Sequence, residues 1–308
     1  TKNLNMAATC RSKFYLGRVF SRFSPFRGFR FLNTAAEESN ENLVVTEKVG
    51  PIFMIGINRP QVKNCVSPAT AKELLKAFQE FEKNEDLHGA VLYGKGGTFC
   101  GGFDLKALSQ LDNLPDFTSN EEERPMGPSR MVFSKPVVAA ISGYAVAGGL
   151  ELAAMCDLRV MEESAILGVF CRRFGVPLID GGTVRLPKLI GLSRALDLIL
   201  TGRPVGAKEA HEMGLANRIV TDGTAVGEAM KLAMMIVAFP RKCTAADRRS
   251  AYYSAYNASS FKDAFDYEWE NGLPIVLEES VKGAQRFVKG EGKHGKFTHP
   301  THPSKSKL

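Results

Sequence analysis

Two glycine-rich segments, each following a short apolar run, constrain the fold of this chain more than any other feature. They span residues 99–105 (Phe-Cys-Gly-Gly-Phe-Asp-Leu) and 142–152 (Ser-Gly-Tyr-Ala-Val-Ala-Gly-Gly-Leu-Glu-Leu). Each predicts a strand, a glycine turn and a helix start, where the backbone can approach a ligand closely. The first N–H groups of a helix lack intrahelical acceptors, and the helix dipole favours negative charge there. Two such turns facing each other would hold one oxygen that gains negative charge during a reaction.

Apolar patterning predicts strands that alternate with helices early in the chain and helices that dominate later. The predicted strands are residues 42–49, 52–58, 90–93, 137–141 and 158–161. The predicted helices are residues 70–83, 148–156, most of 181–200 and nearly all of 222–288, and the polar, proline-rich residues 112–130 predict a long loop. This order indicates an α/β core followed by a helical C-terminal part.

An ordered series of short motifs extends over residues 43–297. The series is Ile-Asn-Arg-Pro at 57–60 with Asn64, Lys-Gly-Gly-Thr-Phe-Cys-Gly-Gly-Phe-Asp-Leu at 95–105, Lys-Pro-Val-Val-Ala-Ala-Ile-Ser-Gly at 135–143, Ala-Gly-Gly-Leu-Glu-Leu-Ala at 147–153, Cys-Asp-Leu-Arg at 156–159, Asp-Gly-Gly-Thr at 180–183 and Gly-Arg at 202–203. In this order the motifs resemble those of the enoyl-CoA hydratase/isomerase, or crotonase, superfamily.

The resemblance implies an α/β fold built as a crotonase-like spiral of β-β-α turns, with a helical C-terminal region that forms homotrimers, often paired into hexamers. It implies a coenzyme A thioester as substrate and neither a cofactor nor a metal. The corresponding domain boundaries are a targeting leader at residues 1–36, the spiral core at 37–240, the C-terminal helical region at 241–297 and a tail at 298–308.

The family places the thioester carbonyl between two backbone N–H groups that stabilise an enolate-like intermediate. Matched by motif, these donors are the amides of Phe103 and Gly148. The resemblance adds substrate contacts from the same turn and its surroundings, namely Gly101, Gly102, Asp104, Lys106 and Cys171. Lys106 would contact the coenzyme A phosphates; alternatively it is a solvated lysine on a helix surface.

The hydratases of the family hold water between two glutamates. Glu151 matches the first, and its spacing of three from Gly148 places both on one side of the helix start. Alternatively it is a buried or solvated helix carboxylate. Cys171 stands where the second glutamate is expected. A thiol with its reference pKa of about 8.5 is mostly neutral at pH 7, which favours an inert pocket wall. Arg172 and Arg173 would lower the pKa of the Cys171 thiol if they pointed inward.

Asp180 is the other candidate for the second proton-transfer group. A carboxylate buried beside a thioester would have a raised pKa, which suits proton transfer. Asp180 also precedes the helix predicted from residue 181, where aspartate is a favoured N-cap. The sequence leaves both roles open.

The predicted function is an enzyme that forms and quenches a thioester enolate, with enoyl-CoA hydratase in fatty acid or related acyl-CoA metabolism as the leading hypothesis. The alternatives are an enoyl-CoA double-bond isomerase and a family member that binds acyl-CoA without turning it over. The five histidines and six cysteines show neither metal-ligand spacing nor a nucleophilic triad.

The charge of the chain is concentrated at its start. The formal net charge is +7, and residues 1–36 carry seven basic residues and no acidic one, so the remainder is balanced and gives no case for nucleic acid binding. This composition is typical of a mitochondrial presequence. Ser306, Lys307 and Leu308 form a peroxisomal address that an import receptor would bind. We therefore expect peroxisomal localisation, mitochondrial localisation or both, and no membrane span, because no run of 18 apolar residues occurs.

Overall fold

The computed structural model describes residues 42–110 and 124–292. The predicted leader, most of the predicted long loop and the tail with Ser306, Lys307 and Leu308 lie outside these residues. The predicted division of the chain at residues 240 and 297 stays a prediction.

The main sheet has six strands, five of which the sequence pattern predicts. In spatial order they are β1 (Val44–Val49), β2 (Ile52–Ile57), β3 (Gly89–Gly94), β4 (Val137–Ile141), β6 (Leu158–Glu162) and β9 (Arg218–Val220). β1 pairs antiparallel with β2, and every later neighbour is parallel. Parallel pairing brings the carboxyl ends of β3 and β4, which lead into the two glycine turns, to the same edge of the sheet.

A second sheet of three short strands was not predicted. It comprises β5 (Tyr144–Val146), β7 (Ile166–Gly168) and β8 (Val205–Gly206), in that order. Strands of two or three residues are too short to show an apolar alternation, so the sequence pattern misses them. β5 lies between β4 and the glycine pair Gly148–Gly149. The chain therefore passes from β4 through a tight bend into β5 before it reaches α3, instead of making a single turn.

Helices surround the sheets and fill the C-terminal part. They are α1 (Pro68–Lys83), α2 (Leu105–Leu108), α3 (Gly148–Met155), α4 (Gly182–Ile190), α5 (Leu192–Thr201), α6 (Ala207–Glu212), α7 (Ala225–Val237), α8 (Arg241–Tyr256), α9 (Phe261–Ile275) and α10 (Val281–Val288). α1 begins two residues before the predicted start because Ser67 caps it and Pro68 occupies its first turn. The predicted helix at 181–200 is two helices, which Gly191 separates with a φ of +81°.

The inner strands of the main sheet are buried on both faces. All six residues of β2 are buried, which is expected of a strand with helices on each side. Ile52 and Met54 pack in one core cluster with buried residues of α7, whereas Phe53 and Ile55 pack in the larger cluster that includes α1. This packing confirms the predicted α/β core.

Asp157 joins the C-terminal helices to the core. Its Oδ1 accepts hydrogen bonds from Arg248 Nε at 2.9 Å and from the hydroxyl of Tyr252 at 2.8 Å, both on α8. Its Oδ2 accepts from the backbone N–H of Val137, the first residue of β4. Within the described residues, no helix is long and apolar enough to cross a membrane.

Candidate active site

The two glycine turns pack directly against each other. A Cβ added to Gly102 would lie 3.1 Å from the amide nitrogen of Gly148 and 2.9 Å from the Cβ of Ala147. A Cβ added to Gly149 would lie 2.2 Å from the carbonyl oxygen of Cys100. Both glycines are therefore required for the close approach of the two backbones, as the sequence pattern predicts.

The start of α3 is held in a strained conformation. Ala147, the residue before Gly148, has a φ of +54°, which costs an L-residue on the order of 1–3 kcal/mol. Its N–H donates to the carbonyl of Gly168 on β7 at 2.8 Å, so the second sheet stabilises this conformation. Gly148 is the first residue of α3, where the backbone N–H has no acceptor within the helix.

A pocket of about 620 Å³, part of it open to solvent, lies beside the two turns. It brings together six of the residues selected from the sequence, which are Gly101, Phe103, Gly148, Glu151, Cys171 and Asp180. The other lining residues are all apolar, namely Leu105, Leu108, Pro125, Met126, Ala147, Phe170, Phe174, Val176, Pro177 and Ile179. An apolar group thus fits beside two carboxylates and a glycine-rich backbone.

Three of the expected substrate contacts are not among the lining residues. Gly102 is buried behind the turn. Asp104 has a structural position: its Oδ2 lies 3.0 Å from Arg59 Nη1, and its Oδ1 accepts from the N–H of Lys106 and caps α2. Lys106 is exposed, outside the lining. Hence Asp104 shapes the turn that carries Phe103, rather than lying on the pocket surface.

Glu151 has one oxygen fixed by the protein. Its Oε1 accepts backbone N–H bonds from Asp180 at 2.9 Å and from Gly182 at 2.8 Å. Gly182 is the first residue of α4, so the Glu151 side chain, which comes from α3, caps the N-terminus of α4. Within the described residues, Oε2 has no hydrogen-bond partner. Burial raises the pKa of the Glu151 carboxyl to about 7, against the effect of these two hydrogen bonds.

The suggested role of Asp180 as an N-cap is wrong. The N-cap position of α4 is Gly181, and no side chain there makes a capping bond. The Asp180 carboxylate instead turns toward the segment before β4, where its Oδ1 accepts from the N–H of Met126 at 3.1 Å and from Ser129 Oγ at 2.5 Å. Burial raises the pKa of Asp180, and the two hydrogen bonds oppose that rise.

The two carboxylates influence each other electrostatically. The negative charge of Asp180 is one of the causes that raise the pKa of Glu151. Burial and the charge of Asp180 thus both favour the protonated form of Glu151.

Cys171 is a neutral thiol in the pocket wall. Burial raises its pKa, and the charge of Glu151 raises it further. The neighbouring arginines point elsewhere: Arg172 Nε donates to the carbonyl of Ile199, and the Arg173 guanidinium lies 4.7 Å from the ring centre of Phe170. The effect of Arg172 on the thiol is smaller than that of burial. The hypothesis of an arginine-activated thiolate is therefore wrong.

Sequence reasoning missed the residues that surround Asp180. Ser129 and Met126 lie in the stretch taken as a patternless loop, and Arg185 lies on α4 among ordinary helix residues. Apart from the glycine pair at 181–182, nothing in the sequence distinguishes them. Among residues 42–110 and 124–292, no group of three or more His, Cys, Asp or Glu could hold a metal ion.

The fold and this pocket together define the crotonase class. A family model described as enoyl-CoA hydratase/isomerase matches residues 47–289, and the chain belongs to that family. It is an enoyl-CoA hydratase-like acyl-CoA enzyme, as the motifs predict.

Individual relatives agree with this assignment. The enoyl-CoA hydratase EchA19 of Mycobacterium tuberculosis is 32% identical over 259 residues, which cover 82% of this chain and 95% of the relative. The human mitochondrial enoyl-CoA hydratase domain-containing protein 2 is 33% identical over 210 residues, or 66% of this chain and 72% of the relative. A crystal structure of an enoyl-CoA hydratase from M. tuberculosis H37Rv superposes with a TM-score of 0.75 and 34% identity, over 81% of this chain and 96% of that one.

Proposed function

We propose that this chain hydrates a 2-enoyl-CoA thioester, with Glu151 and Asp180 as its two proton-transfer groups. The observation that carries the proposal is the shared arrangement of these carboxylates. Each lines the pocket, and each has one oxygen tied by two protein hydrogen bonds. The other oxygen of each is left to act on substrate and water.

Hydration requires three events at the bound thioester. The oxygen of water bonds to C3 while an ionised carboxylate takes a proton from that water. The electrons of the C2=C3 double bond move into the thioester and form an enolate. The enolate then collapses, and C2 takes a proton from the carboxylic acid of the pair. A pair that shares one proton holds the required acid and base at the same time.

The amides of Gly148 and Phe103 are the proposed donors to the enolate oxygen. The position of Gly148 at the start of α3 supports its role, because its N–H points out of the helix at the positive end of the dipole. Phe103 lies across the pocket on the facing turn. Donors fixed before the reaction stabilise developing charge without reorganisation, and one such donor typically contributes on the order of 100- to 1,000-fold.

Double-bond isomerisation is the second candidate, and Cys171 is the observation that favours it. The neutral thiol occupies the position expected for the second hydratase glutamate. One carboxylate is sufficient to move a proton between C2 and C4 of an enoyl thioester, whereas hydration uses two groups. If Asp180 took no part in chemistry, the remaining site would be that of an isomerase.

Two assays with purified protein separate these functions. Loss of absorbance of a conjugated 2-enoyl-CoA in water reports hydration, and its appearance from a 3-enoyl-CoA reports isomerisation. Short and long acyl chains are tested in both. Hydration at a rate well above that of Glu151→Gln supports the proposal. Isomerisation without hydration would replace it, and binding of acyl-CoA without either reaction would indicate the non-catalytic alternative.

Self-association is also proposed, as a homotrimer or as a hexamer made of two trimers. Support comes from α9, on which apolar residues recur every fourth position and are exposed in the single chain, namely Phe261, Phe265, Trp269 and Leu273. Such a stripe at helical spacing is suited to a second copy of the same surface. Light scattering would give the oligomer mass, and Phe265→Glu should lower it.

The proposed place of action is an organelle of fatty acid or related acyl-CoA metabolism. The human relative is named as mitochondrial, which supports the presequence prediction for residues 1–36. The peroxisomal address at Ser306, Lys307 and Leu308 is the other proposal. Imaging of the chain after deletion of either segment tests both addresses, and an unchanged cytosolic signal in every case would reject them.

A further inference from the structure

The Arg185 side chain joins two separate segments at the edge of the pocket. Its Nη1 donates to the backbone carbonyl of Asp180 at 3.0 Å, and its Nη2 donates to the carbonyl of Ser129 at 2.6 Å. Planar guanidinium groups can make two directed bonds at once, which an ammonium cannot reproduce at the same spacing. The segment that contains the turn Pro128–Arg130 is thereby fastened to the start of α4.

The backbone at Gly181 makes room for this guanidinium. Gly181 has a φ of +98°, and a Cβ added there would lie 2.1 Å from Arg185 Nη1. Any other residue at this position would strain the backbone and displace the side chain. The position of the Arg185 side chain therefore depends on the glycine at 181 as well as on its two hydrogen bonds.

The same two segments meet a second time through side chains. Ser129 is fully buried, and its hydroxyl donates to Oδ1 of Asp180 at 2.5 Å. Thus Arg185 bonds the backbone carbonyls of the two residues whose side chains bond each other. The Asp180 carboxylate, pinned at Oδ1, has its Oδ2 without a hydrogen-bond partner among the described residues.

We propose that Arg185 and Ser129 are positioning residues that aim Oδ2 of Asp180 at the substrate. The inference rests on the proposed function, because it presumes that Asp180 transfers a proton. Arg185 holds the backbone of Ser129 in place, and the Ser129 hydroxyl fixes the rotation of the carboxylate. Neither residue lines the pocket, so neither needs to touch the substrate.

Loss of the Ser129 hydroxyl should change the pH dependence of the reaction in a defined direction. The charged and titratable groups around Asp180 are Glu151 on α3, Arg185 on α4, and Arg124 and Arg130 on the segment that precedes β4. The Ser129 hydrogen bond lowers the pKa of Asp180. Its removal raises that pKa, so the part of the pH–rate profile governed by Asp180 moves to higher pH.

The test compares Ser129→Ala, Arg185→Lys and Asp180→Asn in the full chain, with Arg194→Lys on the exposed surface of α5 as the control. We expect Ser129→Ala and Arg185→Lys to lower kcat by about 10- to 100-fold, as misaligned catalytic groups do. KM for a 2-enoyl-CoA should stay within about twofold, and the profile of Ser129→Ala should shift upward. Arg194→Lys should match the unchanged protein. Thermal unfolding of every variant establishes that it folds, and if Ser129→Ala does not fold, Arg185→Lys carries the test.

A double variant separates positioning from general damage. Ser129→Ala combined with Asp180→Asn should be no slower than Asp180→Asn alone, because the hydroxyl acts only through the carboxylate. If the kcat losses of the two single variants multiply in the double variant, the inference is overturned. It is also overturned if Asp180→Asn is impaired while Ser129→Ala and Arg185→Lys have normal rates and Ser129→Ala has an unshifted pH–rate profile. A fully active Asp180→Asn would instead remove the proposed role of Asp180, and the positioning role with it.

Discussion

The backbone N–H of Asp180 donates a hydrogen bond of 2.9 Å to Oε1 of Glu151, so the main chain of one pocket carboxylate holds the side chain of the other. Movement of the loop before α4 would displace both groups together. The positions of the two carboxylates are therefore coupled through one short segment of backbone. This relationship makes isosteric substitutions the right probes of the site.

Glu151→Gln should lower turnover by on the order of 100- to 10,000-fold, while acyl-CoA affinity changes by only a few-fold. The amide oxygen of glutamine can still accept the N–H groups of Asp180 and Gly182, so the cap on α4 survives and only proton transfer is lost. Steady-state kinetics and calorimetric binding of acyl-CoA measure the two effects. Glu163→Gln, at an exposed position, is the matched control. Near-normal turnover of Glu151→Gln would exclude Glu151 as the acid or base.

Asp180→Asn should lower turnover by about 100-fold or more and leave the fold intact. The asparagine carbonyl can accept the bonds from Met126 and Ser129 that Oδ1 accepts now. Stopped-flow or steady-state assays give the rate, and circular dichroism checks the fold. An active Asp180→Asn would favour an isomerase that uses Glu151 alone.

Cys171→Ala should leave turnover nearly unchanged, because a neutral thiol in the wall supplies mainly packing. Cys171→Glu should increase hydration of a short enoyl-CoA, since it places a carboxylate where the hydratases of the family have one. The same hydration assay measures both variants. Loss of activity in Cys171→Ala together with an active Asp180→Asn would indicate thiol-dependent chemistry instead.

Stability should fall as pH rises, in part because of Glu151. Its pKa is about 7 in the folded chain and close to the ordinary glutamate value of 4.5 in the unfolded chain, so the folded state binds the proton more tightly. The stabilisation is complete below pH 4.5 and is lost as pH rises through 7, on the order of 3 kcal/mol in all. Denaturant unfolding at pH 5 and pH 8 should show this loss in the unchanged protein and a smaller one in Glu151→Gln. An equal pH dependence in both proteins would contradict the raised pKa.

Gly149→Ala should reduce the free energy of unfolding by about 1–3 kcal/mol or prevent folding, because its Cβ would overlap the carbonyl of Cys100 at 2.2 Å. Gly206→Ala is the control: its backbone is extended, and a Cβ there meets nothing within 4 Å. Urea unfolding compares the two. Equal stability would mean that the two turns can separate without cost.

The sequence predicts five of the six strands of the main sheet, the long helices and the meeting of the two turns, because each depends on apolar periodicity or on glycines in a fixed order. It places Glu151 in the pocket by its spacing from Gly148, and the structure agrees. It does not predict what Asp180 contacts. The bonds from Met126 and Ser129 span more than 50 residues of chain and depend on packing between segments that show no local pattern. The family resemblance implies that Asp104 and Lys106 contact the substrate, but the Arg59 pair and the cap on α2 orient Asp104 elsewhere.

The two successive glycines at the start of α4 each leave room for a different side chain. A Cβ on Gly181 would overlap Arg185, and one on Gly182 would lie 3.0 Å from the Cγ and Oε1 of Glu151. Two adjacent glycines therefore leave space for a guanidinium at the first position and for a carboxylate at the second. In chains that lack the arginine, the first glycine loses this steric reason to persist, whereas the second remains tied to the glutamate.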